Sequence, residues 1–106
     1  MLENHIVIFC TVPDRESGER ISRVLVEERL AACVNLLPGL TSIYRWQGQI
    51  QQDTECLLLI KSTGARFEVL ADRLRGLHPY DVPEIIALPV SAGDPAYLNW
   101  ITENTK

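Results

Sequence analysis

The chain has 106 residues, enough for one domain with a real core (residues 1–106) and too few for two ordinary ones. A hydrophobic fraction of 46% excludes disorder, and 14 Asp and Glu against 10 Lys and Arg leave a formal charge of -4. That balance is unfavourable for phosphate backbones and anionic membranes, and the apolar runs, residues 56–60 among them, are strand-sized rather than the roughly 20 residues a membrane helix needs.

Residues 1–5 carry neither the basic region nor the apolar stretch of a signal peptide, so a cytoplasmic protein is the expectation. Residues 5–10 (His-Ile-Val-Ile-Phe-Cys) are β-branched and aromatic and predict a first strand covered on both faces. Pro13 and Asp14 end it, with Asp14 placed to cap a helix over residues 15–30. Ile21, Val24 and Leu25 form the apolar stripe of that helix, and Arg20, Arg23 and Glu27 face outward.

A second strand starts over residues 33–37, bends or bulges at Pro38-Gly39, and resumes over residues 41–46. Gln47-Gly48-Gln49 supplies the reversal, because glycine takes positive φ without steric cost. Residues 50–54 are polar and ambiguous, whereas residues 55–61 form a third strand. Phe67, Leu70, Leu74 and Leu77 recur at helical spacing, with His78 at the C-terminal end. Residues 84–90 predict a fourth strand with Pro89 near its end, and Asp94-Pro95 caps a short helix that buries Tyr97, Leu98 and Ile101.

The order is β-α-β-β-α-β plus a short helix, an α+β, ferredoxin-like pattern with two helices on one face of a four-stranded sheet. The strands carry too few polar residues for a clean solvent-facing side, and Tyr44 and Trp46 add apolar surface. Self-association into a homo-oligomer is the expectation.

The densest cluster of chemistry is His78-Pro79-Tyr80-Asp81-Val82-Pro83-Glu84, a histidine, a tyrosine and carboxylates held between two prolines at a helix-to-strand junction. Cys10, Cys33 and Cys56 include no CxxC pair and no disulfide framework. No Ser-His-Asp grouping, P-loop or GxGxxG is present. The loop after the first strand, Thr11-Val12-Pro13-Asp14, receives phosphate poorly, which argues against acylphosphatase chemistry on this fold. A Cys10–His78 nucleophile–base pair has no visible oxyanion hole.

Cys10-Thr11-Val12-Pro13, Leu30-Ala31-Ala32-Cys33-Val34-Asn35, Tyr44-Arg45-Trp46-Gln47-Gly48, and His78-Pro79-Tyr80 with Pro83-Glu84 together resemble the CutA family of divalent-cation tolerance proteins. The resemblance runs in order from the first strand to about Trp100. It implies a tight, PII-like homotrimer with long hairpins interlocking neighbours, cytoplasmic in bacteria and associated with copper or other divalent cations. On the residues themselves, no catalytic residues and no organic cofactor are the expectation. Its metal residues correspond to Cys10 and His78. Leu77 stands where the metal-binding bacterial member has a second histidine, and Glu84 of the Pro-Glu pair is an oxygen donor in its place.

Thiolate and imidazole suit copper or zinc better than magnesium or calcium, so weak copper binding is the expectation. Cys10 also reads as a core thiol, His78 as a helix C-terminal partner, and Glu84 as a solvated or intersubunit residue. A second functional class is a small-ligand sensor with intersubunit clefts, for which Lys61, Arg66 and Arg73 are the anion contacts.

Overall fold

The computed structural model describes residues 4–106, so the signal-peptide reading falls in part on residues 1–3, outside the described residues. The elements are β1 (His5–Val12), α1 (Arg15–Glu27), β2 (Cys33–Trp46), β3 (Gln49–Thr63), a 3-10 turn (Gly64–Arg66), α2 (Phe67–Leu77), β4 (Ile86–Pro89) and α3 (Pro95–Glu103). One antiparallel sheet in the order β2-β3-β1-β4 results, the ferredoxin-like arrangement expected, with α3 added.

Alternation along β1 sets the layers. Ile6, Ile8, Cys10 and Val12 are buried in one cluster with Leu58 and Ile60 of β3, Ile21 and Leu25 of α1, and Leu70 and Leu74 of α2. The opposite face carries Val7, Phe9, Leu57 and Leu59, all only half-buried. Leu37, Ile86 and Leu88 pair with Leu57, Phe9 and Val7, and they are exposed. So β1, expected to be covered on both faces, is fully covered on one.

β1 continues two residues past its expected end, pairing Thr11 with Leu57 and Val12 with Cys56, until Pro13 removes the next amide donor. Asp14 then caps α1 by accepting from Ser17 N–H at 2.7 Å. The helix closes at Glu27 instead of residue 30. Arg29 turns to φ 60°, and the Leu30 and Ala31 amides both donate to the Leu25 carbonyl. Arg29 is held there by its guanidinium, which donates to the Glu103 and Lys106 carbonyls.

The β2–β3 ribbon is the long feature of a molecule measuring 44 × 26 × 23 Å. Gln47 (φ 50°) and Gly48 (φ 77°) form a two-residue turn of the primed type between Trp46 and Gln49, whose hand matches strand twist. The ambiguous residues 50–54 are strand, paired with β2 across a bulge between Leu37 and Leu40. Since β1 stops opposite Cys56, the ribbon beyond that point has no third strand among the described residues. β4 starts at Ile86 rather than at residue 84, leaving Glu84 outside the ladder, and Pro89 sits harmlessly on this edge strand.

α1 approaches the sheet closely because Gly18 has no side chain. A Cβ there would lie 3.1–3.2 Å from methyls of Leu36, Leu58 and Val12. Gly18→Val adds branched bulk at this contact and is expected to lower stability by about 1–3 kcal/mol despite the better helix propensity, measured by urea unfolding.

Candidate functional site

Pro79 forces the residue before it out of helical conformation, and His78 accordingly takes φ -79° and ψ 138° while its amide still donates to the Leu74 carbonyl. This turns the His78 ring onto the end of β1. Nε2 lies 2.8 Å from the Thr11 carbonyl oxygen, and Nδ1 accepts from the Tyr80 amide at 3.1 Å. A carbonyl only accepts and an amide only donates, so the ring is the neutral tautomer with its proton on Nε2.

The Tyr80 ring packs against His78 at 4.8 Å, and its hydroxyl donates to Glu55 Oε2 at 2.6 Å. Burial first, then the Glu55 hydrogen bond and charge, push the Tyr80 hydroxyl well above the ordinary tyrosine range. Glu55 lies on the open face of β3 with Leu57 and is only 8% exposed. Tyr80 is its one hydrogen-bond partner, and it makes no salt bridge among the described residues. Further along the ribbon the Tyr44 hydroxyl donates to Asp53, which raises the tyrosine.

Between the ribbon and loop 78–84 lies a groove of about 670 Å³. Glu55, Asp81 and Glu84 line it, as do Tyr44, Trp46 and Tyr80, and no Lys or Arg does. Three carboxylates along one groove without a basic counterpart give it a negative field in a partly desolvated space, which favours cations.

The sequence-derived donors occupy this corner in different ways. Glu84 lines the groove. Cys10 lies behind it, fully buried on the helix side of β1. Burial, then the charges of Glu84 and Glu55, push its thiol from 9.0 to about 12. His78 has both ring nitrogens occupied by backbone groups, and Leu77 packs against the core. Among the described residues, no three His, Cys, Asp or Glu side chains come together as a ligand set.

The cations considered for an anion cleft have other partners. Lys61 donates to Asn35, Arg66 donates to the Thr105 carbonyl, and Arg73 forms a bidentate pair with Glu28. Sequence reasoning passed over Glu55. Its one signal was a lone charge at the head of an apolar strand, on the same face as Leu57 and Leu59.

Residues 6–104 match the model of the CutA1 divalent ion tolerance protein family. The chain is 57% identical over 99 residues to the divalent-cation tolerance protein CutA of Thermus thermophilus, covering 93% of this chain and 96% of that one. It is 46% identical over 101 residues to the chloroplastic CutA of Arabidopsis thaliana, where 95% of this chain spans 56% of the longer relative. The crystal structure of CutA from Xylella fastidiosa superposes with a TM-score of 0.95 at 51% identity, covering 98% of this chain and 100% of that chain.

Tyr80→Phe deprives Glu55 of its one donor among the described residues and is expected to cost about 1–2 kcal/mol in urea unfolding, moderated because groove water reaches the carboxylate. Cys10 gives a pH signature. Its neutral thiol is the favoured folded form, so its contribution is complete below pH 9.0 and is lost as pH rises towards about 12. Thermal midpoints of Cys10→Val should therefore fall less steeply than those of the unmodified protein above pH 9.0.

Proposed function

The chain belongs to the CutA1 divalent ion tolerance family, and from that premise we propose that it is a non-catalytic homotrimer that binds divalent or transition-metal cations and contributes to divalent-cation tolerance. The observation that carries this reading is the groove beside the end of β1, lined by Glu55, Asp81 and Glu84 and by no basic residue. Glu84 supplies an oxygen donor on its lining.

Cys10 and His78 stand behind as the softer donors, and they make copper the favoured metal. Engaging them has a cost. Cys10 must release a proton it holds up to about 12, and His78 Nδ1 must leave the Tyr80 amide. Binding through these residues is therefore weak and exchangeable, and it strengthens with pH as the thiol proton is more readily lost.

Trimer formation draws support from the half-covered sheet. Leu37 is 48% exposed, Ile86 54% and Leu88 43%, on the face away from the helices. Ile43, Trp46 and Ile50 are exposed along the unsupported ribbon. Contiguous apolar surface of this kind favours association with further copies. Catalysis has no place in the reading, because a protonated buried thiol and an imidazole bonded at both nitrogens form no nucleophile–base pair.

Native mass spectrometry of untagged protein, followed by calorimetric titration with Cu(II), tests both parts. A trimer mass is expected, with copper affinity lowered about tenfold in Glu84→Gln, or about 1.4 kcal/mol. Cys10→Ser should flatten the rise of affinity with pH. A monomer at micromolar concentration, or identical isotherms for Glu84→Gln and the unmodified protein, would refute the assignment.

A further inference from the structure

Away from the groove, the start of β2 and the end of β3 bring a thiol and an amine together. Cys33 is directly opposite Lys61 in the β2–β3 ladder, and Lys61 is opposite Val7 of β1. Both side chains therefore stand on the sheet face away from α1 and α2, and opposed residues of this kind have Cβ atoms about 4.5–5.5 Å apart. Asn35, two positions along β2, shares that face. Its Oδ1 accepts from Lys61 Nζ and lies 3.9 Å from Cys33 Sγ, so sulfur and nitrogen converge on one oxygen.

The three cysteines differ in what reaches them. Cys10 and Cys56 are buried, and burial comes first among the causes that push both thiols up. Cys33 is half-buried and open to a small oxidant. Its surroundings are polar, with the Lys61 ammonium, the Asn35 amide and the Tyr97 hydroxyl of α3. Burial first, then the charge and hydrogen bonding of Cys33, raise the Tyr97 hydroxyl, which sets that group beside the sulfur. Partly exposed thiols next to a cation are the reactive kind, whereas sealed ones are inert.

Lys61 is the second reactive group. The chain has two lysines, and Lys106 is exposed and paired with Glu103. Lys61 is half-buried and makes no salt bridge among the described residues. A neutral amide oxygen holds it, so its nitrogen can turn to the sulfur without breaking an ion pair. A lysine amine without its proton is a competent nucleophile.

We propose that Cys33 and Lys61 form an oxidant-driven cross-link, an S–N bond, with a hydroperoxide as the oxidant. The Cys33 sulfur first attacks the peroxide and the O–O bond breaks. Sulfur is oxidised to a sulfenic acid, and the expelled oxygen leaves as water with the thiol proton when the oxidant is hydrogen peroxide. The lone pair of the unprotonated Lys61 amine then attacks that sulfur. The S–OH bond breaks, and the departing hydroxide takes a proton from the nitrogen and leaves as a second water. The sulfur gives up one electron pair, the peroxide takes it, and the chain loses two hydrogen atoms and the positive charge of Lys61. The bond joins neighbours within one chain, so a second copy laid over the sheet need not leave for it to form.

The test uses the full chain, freed of metal with EDTA so that its result is independent of the copper reading, treated with hydrogen peroxide and digested with trypsin without reductant. Mass spectrometry is expected to find the Cys33 peptide joined to the Lys61 peptide, lighter by two hydrogen atoms than the pair. Cleavage after Lys61 should fall in proportion and return with dithiothreitol. Lys61→Arg, which keeps the charge, should abolish the link and let the sulfenic acid accumulate as its dimedone adduct. Cleavage after Lys61 in Cys33→Ser should be indifferent to peroxide. Recovery of Cys33 as a free thiol, a disulfide or a sulfinic acid, with cleavage after Lys61 intact, overturns the proposal. The linked peptide is sought in the unmodified chain, so the result stands even where a variant fails to fold.

Discussion

The contact on which the site depends is the His78 ring set between two backbone groups. Pro79 makes His78 extended, the extended backbone aims the ring at β1, and the ring joins the Thr11 carbonyl to the Tyr80 amide. That bridge spans 67 positions of sequence, and His78 itself is only 8% exposed, so water competes less for its ring bonds. It holds loop 78–84 against the end of β1. Tyr80 then reaches Glu55, and the loop becomes one wall of a groove whose other wall is the ribbon. The neutral tautomer satisfies both partners at once, whereas a second ring proton would oppose the Tyr80 amide.

The ribbon wall has a different origin. Its strands continue past the end of β1 without a third neighbour among the described residues, so hydrogen bonding between them and the primed turn at Gln47-Gly48 set its course. A two-stranded ribbon is marginal alone in water. Exposed Ile43, Trp46 and Ile50 make it a surface seeking cover, and the exposed Leu37, Ile86 and Leu88 place a second such surface on the sheet. The two together are the physical argument for association. The first lies along a free ribbon and the second lies across paired strands, so the helices of the same chain serve neither.

Most of the element order was legible because it rests on periodicity. β1 alternates, α2 repeats at 3.6 residues, and Asp14 and Asp94 cap the helices they precede. The unreadable parts depend on contacts distant in sequence. Residues 50–54 lack a buried face, so no core imposes alternation on them. α1 ends at Arg29 in a left-handed conformation without a glycine, held by carbonyls 74 and 77 positions later. Glu55 is buried by a tyrosine 25 positions on, which no local window displays. Cys10 illustrates the converse: an apolar strand context correctly signalled burial, while the charges near it came from other elements.

Those charges connect the open groove to the closed core. Glu84 and Glu55 belong to the groove, yet both raise the thiol of Cys10 on the other side of β1. Burial supplies the largest share of that shift, and the two carboxylates add to it. A cation placed among the carboxylates offsets their charge and so removes part of what keeps Cys10 protonated, while its burial is unchanged. Occupation of the groove and ionisation of the thiol are thereby linked in sign, each favouring the other, although Cys10 belongs to β1, Glu55 to β3 and Glu84 to the loop before β4. The coupling is bounded, since filling the groove offsets only the effect of the two carboxylates and leaves the effect of burial, the larger of the two.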